Sequence, residues 1–180
     1  MRSLAAFLSQ VEADVVALNG IEAGDALATA TRFDFQWAYR GRQALLWSRR
    51  VVAKEVHDVY LPSATLRPFE RRGLLRVDAL HEDAPLHVFA AACAPDRSGI
   101  SDLRFTRAML RSSHDDVLLL ATMPHTRIGF GDLRMQTVSD GGDLAIAAGG
   151  YELTQPETIE AQDGLGPALV ARASRVDVAR

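Results

Sequence analysis

Residues 13–22, ADVVALNGIE, form a short continuous apolar run that ends in Asn-Gly. This is the pattern of a strand buried on both faces that empties into a loop. In α/β proteins such strand ends carry the chemistry. Two later runs repeat the pattern, LHVFAAAC at residues 86–93 and VLLLATM at residues 117–123, the second being the most hydrophobic in the chain. Around them the apolar period changes. Leu4, Phe7, Leu8 and Val11 recur at i, i+3, i+4 and i+7, which predicts an amphipathic helix over residues 2–12. Alternation of strand and helix periods makes the chain α/β.

The same reading predicts a helix over 23–31, alternation of aromatic and polar residues over 33–39, and a strand over 43–48 after a turn at Gly41. Strands follow over 51–60 and 71–80, separated by a loop over 61–69 marked by Pro62 and Pro68. Residues 100–111 read as a helix capped by Ser98 or Ser101, with Ile100, Leu103 and Leu110 on one face. Between Gly129 and Gly150 the glycines multiply, so loops are expected with a short helix near 144–148. Residues 156–167 read as a surface loop and 174–178 as a last strand.

The length of 180 residues and 48% hydrophobic content suit one globular domain over 1–180. A net charge of −3 offers no global attraction to nucleic acid or anionic membranes. Cys93 is the sole cysteine, which excludes an intrachain disulfide and a cysteine-rich zinc site. A reducing cytoplasm is the expected compartment. No apolar run approaches the roughly 18 residues that span a bilayer, and Glu12 arrives too early for a signal-peptide core.

In order along the chain, ADVVAL, GRQALLWSRR, RRGLLRVDAL, LHVF, VLLLA and SRVDV resemble segments of the endonuclease/exonuclease/phosphatase superfamily. The resemblance covers residues 4 to 178. It implies two mixed β-sheets packed as a sandwich with flanking helices, shortened here at both termini because the family's strand before the first helix and its terminal Ser-Asp-His strand find no counterpart. It also implies a set of metal and acid/base groups, and this chain departs from each. The family's Gln-Glu pair after ADVVAL is Asn19-Gly20, its Asn-Thr-His-Leu is Ala90 to Cys93, and its Gly-Asp-x-Asn is Thr122, Met123, Pro124 and His125. Asp177 matches the family's histidine-orienting Asp. Methyl and thioether groups neither hold Mg²⁺, which demands hard oxygen ligands, nor transfer protons.

The expectation is therefore a catalytically inactive relative of metal-dependent phosphoesterases and nucleases that acts by binding, with no cofactor. The remnant-cleft candidates are Asn19, Glu22, His125 and Asp177. The alternative is a phosphodiesterase or nuclease that has rebuilt a Mg²⁺ or Mn²⁺ site from Glu22, His125 and Asp177. His57, His81, His87 and His114 are scattered without metal-ligand spacing, which speaks against a new zinc site. The arginine groups at 40, 42, 49 and 50, at 67, 71, 72 and 76, and at 104, 107 and 111 could contact nucleic acid. They read more simply as a solvated face balanced by Glu70, Asp102 and Asp115. Cys93 reads as core, and Trp37 and Trp47 as hairpin packing. Unpaired strand edges make a protein partner, first of all a homodimer, the preferred association; no membrane partner is expected.

Overall fold

The structure, a computed structural model, describes residues 8–9, 11–63, 73–113, 116–123, 133–140, 143–159 and 168–176. The leading strand is β1 (Val15–Asn19), followed by helix α1 (Ala23–Phe33) and a hairpin of β2 (Gln36–Arg40) and β3 (Gln43–Trp47). These three strands form an antiparallel sheet in the order β1-β3-β2. Then come β4 (Val51–Tyr60), β5 (Gly73–His81), β6 (Ala84–Ala92), α2 (Gly99–Arg111), β7 (Asp116–Thr122), β8 (Gln136–Ser139) and β9 (Leu144–Gly149). Their six strands run in the order β4-β5-β6-β7-β9-β8, with β6 and β7 parallel and the other pairs antiparallel. The parallel pair needs a crossover, and α2 supplies it. The chain ends in a two-stranded ribbon, β10 (Tyr151–Ile159) and β11 (Ala168–Arg175).

Side-chain alternation assigns the layers. Leu45 and Trp47 of β3 meet Val77, Val88 and Ile146 of the six-stranded sheet and Leu153 of β10 in one buried cluster, the sandwich interior. On the far side of the large sheet, Leu74, Phe89, Ala91 and Leu119 pack on Leu103 and Leu110 of α2. On the far side of the small sheet, Ala44 and Leu46 pack on Ala26 and Ala30 of α1. The result is four layers, helix on sheet on sheet on helix. The expected sandwich is present, with a mixed large sheet and a facing layer divided into two antiparallel pieces.

Several expectations change. Residues 144–148 form strand β9 instead of a short helix, because pairing with β7 and β8 on both sides satisfies every backbone group and overrides alanine's helix propensity. Pro156 lies inside β10 instead of a loop. It is tolerated at a bulge between Thr154 and Glu157, where Gln155 takes φ +51. Residues 160–167, most of the 2–12 helix and most of the 61–69 loop lie outside the described residues. In α2 Leu103 and Leu110 are buried as expected, whereas Ile100 is 50% exposed and Thr106 completes the buried face.

Candidate functional site

The C-terminal ends of β1, β6 and β7 converge. Ala92 pairs with Thr122 across β6 and β7, and the Cys93 N–H donates to the Thr122 carbonyl at 2.9 Å. From the facing sheet, Asn19 reaches across and its Nδ2 donates to the Thr122 Oγ1 at 2.5 Å. Two neutral side chains thus meet across the sheets beside Gly20, which stands where the resemblance places a metal-binding carboxylate. Met123 is buried, and its N–H is held by the Asp143 carbonyl at 2.6 Å. Gly20 sits at φ +75, a backbone conformation that side chains rarely adopt.

Of the four sequence candidates, Asn19 and Glu22 are described, and they serve different partners. The Glu22 carboxylate pairs with the Arg42 guanidinium at 3.1 Å, which in turn donates to the Gly20 carbonyl at 3.2 Å. His125 and Asp177 lie outside the described residues. Arg175, two residues before Asp177, binds Asp116 at 2.9 Å.

Sequence reasoning missed Gln43. It points into the sandwich with Leu45 and Trp47, on the β3 residue opposite Asn19. It is buried, and neither amide atom has a hydrogen-bond partner. A buried amide left so costs about 1–3 kcal/mol. A Gln at an inward position of an alternating strand was the signal that could have found it.

Beside this end the sandwich is open. A cleft of about 850 Å³ lies between β1 and β11, with Leu118, Leu120 and Ile146 of the large sheet as its floor. Val15, Ala17, Leu169 and Ala171 face inward from its two rims and are only half-buried. The Ser48 N–H donates to the Asp14 carbonyl, so strand alternation leaves the peptide groups of Val15, Ala17 and Asn19 on the edge of β1 that pairs with no strand among the described residues. The Val176 bond to Gly150 places those of Ala173 and Arg175 on the open edge of β11 by the same argument.

Several arginines, those at 40, 42, 49 and 50 among them, meet the chain's own carboxylates. Arg40 pairs with Asp58 and lies over the Tyr60 ring, Arg49 pairs with Asp34 at 2.8 Å, and Arg50 with Asp14 at 3.4 Å. Asp102, expected to balance charge on a solvated face, is instead fully buried. It accepts from Ser63 and from the Ala94 N–H.

Two of the scattered histidines, His57 and His87, are brought together. Register pairs His57 with Arg76 and Asp78 with His87 on three neighbouring strands. His87 Nδ1 lies 2.6 Å from one Asp78 oxygen and His57 Nε2 3.2 Å from the other, while Arg76 grips both. Burial pushes the Asp78 pKa up, but the hydrogen bonds and charges of Arg76 and His87 together outweigh it and hold the group below its ordinary value. A carboxyl whose folded pKa lies below its unfolded one adds stability above the unfolded pKa and loses it as pH falls through the folded value. Urea midpoints measured between pH 6 and pH 2 should therefore drop below about pH 4, and Asp78→Asn should flatten that drop.

No protein-family model and no curated protein sequence matches the chain. Solved structures do. D. rerio TDP2 complexed with a single-strand DNA product superimposes with TM-score 0.74 and 12% identity, over 92% of this chain and 86% of that one. The human Nocturnin catalytic domain with a bound sulfate anion gives 0.72 and 9%, over 97% and 86%. ANGEL2, a 2',3'-cyclic phosphatase in complex with adenosine-2',3'-vanadate, gives 0.56 and 11%, over 68% and 43%. At these identities the likeness is one of fold.

Proposed function

From the endonuclease/exonuclease/phosphatase fold that this chain carries, we infer that it acts by binding a protein partner and does not hydrolyse phosphoesters. The observation behind this reading is the neutral closure at the strand ends, where Asn19 meets Thr122 and Gly20, Ala92 and Met123 stand at the family's ligand and acid/base positions. Hydrolysis of this kind needs a cation held by oxygen ligands to lower the pKa of its water. The test is release of nitrophenolate from bis(p-nitrophenyl) phosphate and from p-nitrophenyl phosphate with Mg²⁺ or Mn²⁺. No turnover above the protein-free rate is expected. Metal-dependent turnover would overturn the reading and favour the rebuilt site of Glu22, His125 and Asp177.

The partner surface is the open edge of β1, and the partner is a second copy. An antiparallel pairing of this edge with itself, centred on Ala17, is self-complementary, as a two-fold contact requires. It would pair the peptide groups of Val15, Ala17 and Asn19, which have no strand partner among the described residues, and cover the cleft rim. Nucleic acid is the weaker candidate because the arginine group at 40, 42, 49 and 50 is held by carboxylates and the net charge is −3. Light scattering after size exclusion should give a dimer at high concentration. Ala17→Pro, which removes a donor from the open edge and leaves the β3 ladder intact, should give a folded monomer. A wild-type monomer at every concentration would end the proposal.

A further inference from the structure

The cluster around Asp78 lies on the face of the large sheet that carries α2, five residues before Ala92 along β6 at His87. At strand spacing that is roughly 16 Å from the neutral closure. It is thus separate from the strand-end site. Three of its side chains converge on one point. The ligand atoms of Glu55, His57 and Asp78 all lie within 4.8 Å of one another. His57 Nε2 is 3.2 Å from Asp78 Oδ2 and 3.6 Å from Glu55 Oε2. Four ligands at about 2.0–2.2 Å in a tetrahedron are separated by roughly 3.4 Å. The two separations that involve His57 bracket this value.

We propose that Glu55, His57 and Asp78 form a binding site for Zn²⁺, with water in the fourth position. The donor set selects the metal: one imidazole and two carboxylates suit zinc, whereas Mg²⁺ favours an all-oxygen octahedron. Backbone geometry supports the convergence. A bulge between Ala53 and Glu55 shifts the β4 register, so Glu55 and His57 share the face on which Asp78 stands. That bulge re-aims Glu55, which would otherwise fall on the opposite face from the Asp78 side.

Asp78 is oriented by groups that do not touch the metal. Arg76 Nε and His87 Nδ1 occupy its Oδ1 at 2.5 and 2.6 Å, which leaves Oδ2 turned toward His57. Arg76 is itself seated over the Phe89 ring, 5.6 Å from its centroid. Its charge opposes a dication, and its Nη2 also reaches Oδ2 at 3.0 Å. The two carboxylates supply the compensating charge. Binding takes His57 as the neutral tautomer with its proton on Nδ1, so the Nε2 lone pair replaces any hydrogen bond from Nε2 to Asp78, and metal competes with protons.

The experiment is calorimetric titration of Zn²⁺ into metal-free protein, with Co²⁺ as a spectroscopic substitute. One saturable site and the intense visible absorption of tetrahedral Co²⁺ are expected. His57→Ala should abolish both, Glu55→Gln should weaken binding at least tenfold, and His87→Ala, acting through Asp78, should weaken it 10–100-fold. His81→Ala, on a residue that contacts Tyr151, should change nothing. Circular dichroism of each variant separates lost ligands from lost fold. Absence of saturable binding, or binding that survives His57→Ala, overturns the proposal. His125→Ala is the control for the alternative Mg²⁺ or Mn²⁺ site, so loss of binding in that variant with retention in His57→Ala would also overturn the proposal.

Discussion

Asp102→Ala is expected to lower stability by about 3–5 kcal/mol, a large fraction of the 5–15 kcal/mol that holds a domain of this size together. The carboxylate is fully buried and accepts three hydrogen bonds. Two come from Ser63, from its N–H at 2.8 Å and its hydroxyl at 2.6 Å, and the third from the Ala94 N–H at 2.9 Å. One side chain on α2 therefore fixes the chain leaving β4 and the chain leaving β6. Alanine would strand two backbone donors and a hydroxyl in a core where water does not reach them, and each orphan costs about 1–3 kcal/mol. Chemical denaturation should show the midpoint falling with an unchanged slope. Asp102→Asn keeps one oxygen acceptor but turns an amide against a donor, so it should fall between wild type and alanine. A loss below about 1 kcal/mol for alanine would mean that the joint relaxes to rebuild its bonds.

Gly99→Ala should cost about 3 kcal/mol at the same joint. A Cβ on Gly99 would stand 2.1 Å from the Ala94 carbonyl oxygen and 3.2 Å from its carbon. The obstacle is backbone, which cannot swing away as a side chain would. Relief requires the start of α2 to move off the end of β6, and that movement breaks the bond between Ala94 and Asp102. The two substitutions therefore share one strain, and the double variant should lose less than the sum of the single losses. Thermal unfolding of the four proteins measures the coupling. Strict additivity would show that Gly99 and Asp102 act on separate contacts.

Neither residue announced itself in the sequence. Asp102 lies in the first turn of a predicted helix, where acids are common and exposed, and only the folded contact with Ser63 and Ala94 explains its burial. Gly99 looked like an ordinary loop residue before a helix. The strands β1, β6 and β7, by contrast, were legible as short apolar runs, although burial on both faces holds only for much of β6: β1 is half-buried along its length and β7 alternates between buried and half-buried positions. The run LAIAAG carried the same information in β9 but was masked by alanine's affinity for helix and by surrounding glycines. Its identity as a strand depends on β7 and β8 lying on either side. That Gly20, Ala92 and Met123 carry no carboxylate or imidazole was read directly, since side-chain chemistry is visible without coordinates. The contact between Asn19 and Thr122 was not, because they are 103 residues apart.

What the sequence by itself determined was the order of strands and helices from β1 to β7, most of the apolar positions that must be buried, and the absence of carboxylate and imidazole groups at Gly20, Ala92 and Met123. Periodicity and residue chemistry are local, and these properties follow from them. Only the tertiary structure decided that the facing layer is divided with an open cleft between β1 and β11, and that Asp102 is a buried joint. It alone brought Glu55, His57, Asp78 and His87 from three strands to one spot. Register and sheet order set those relations, and both are fixed by packing between segments distant in the chain, which no local pattern encodes.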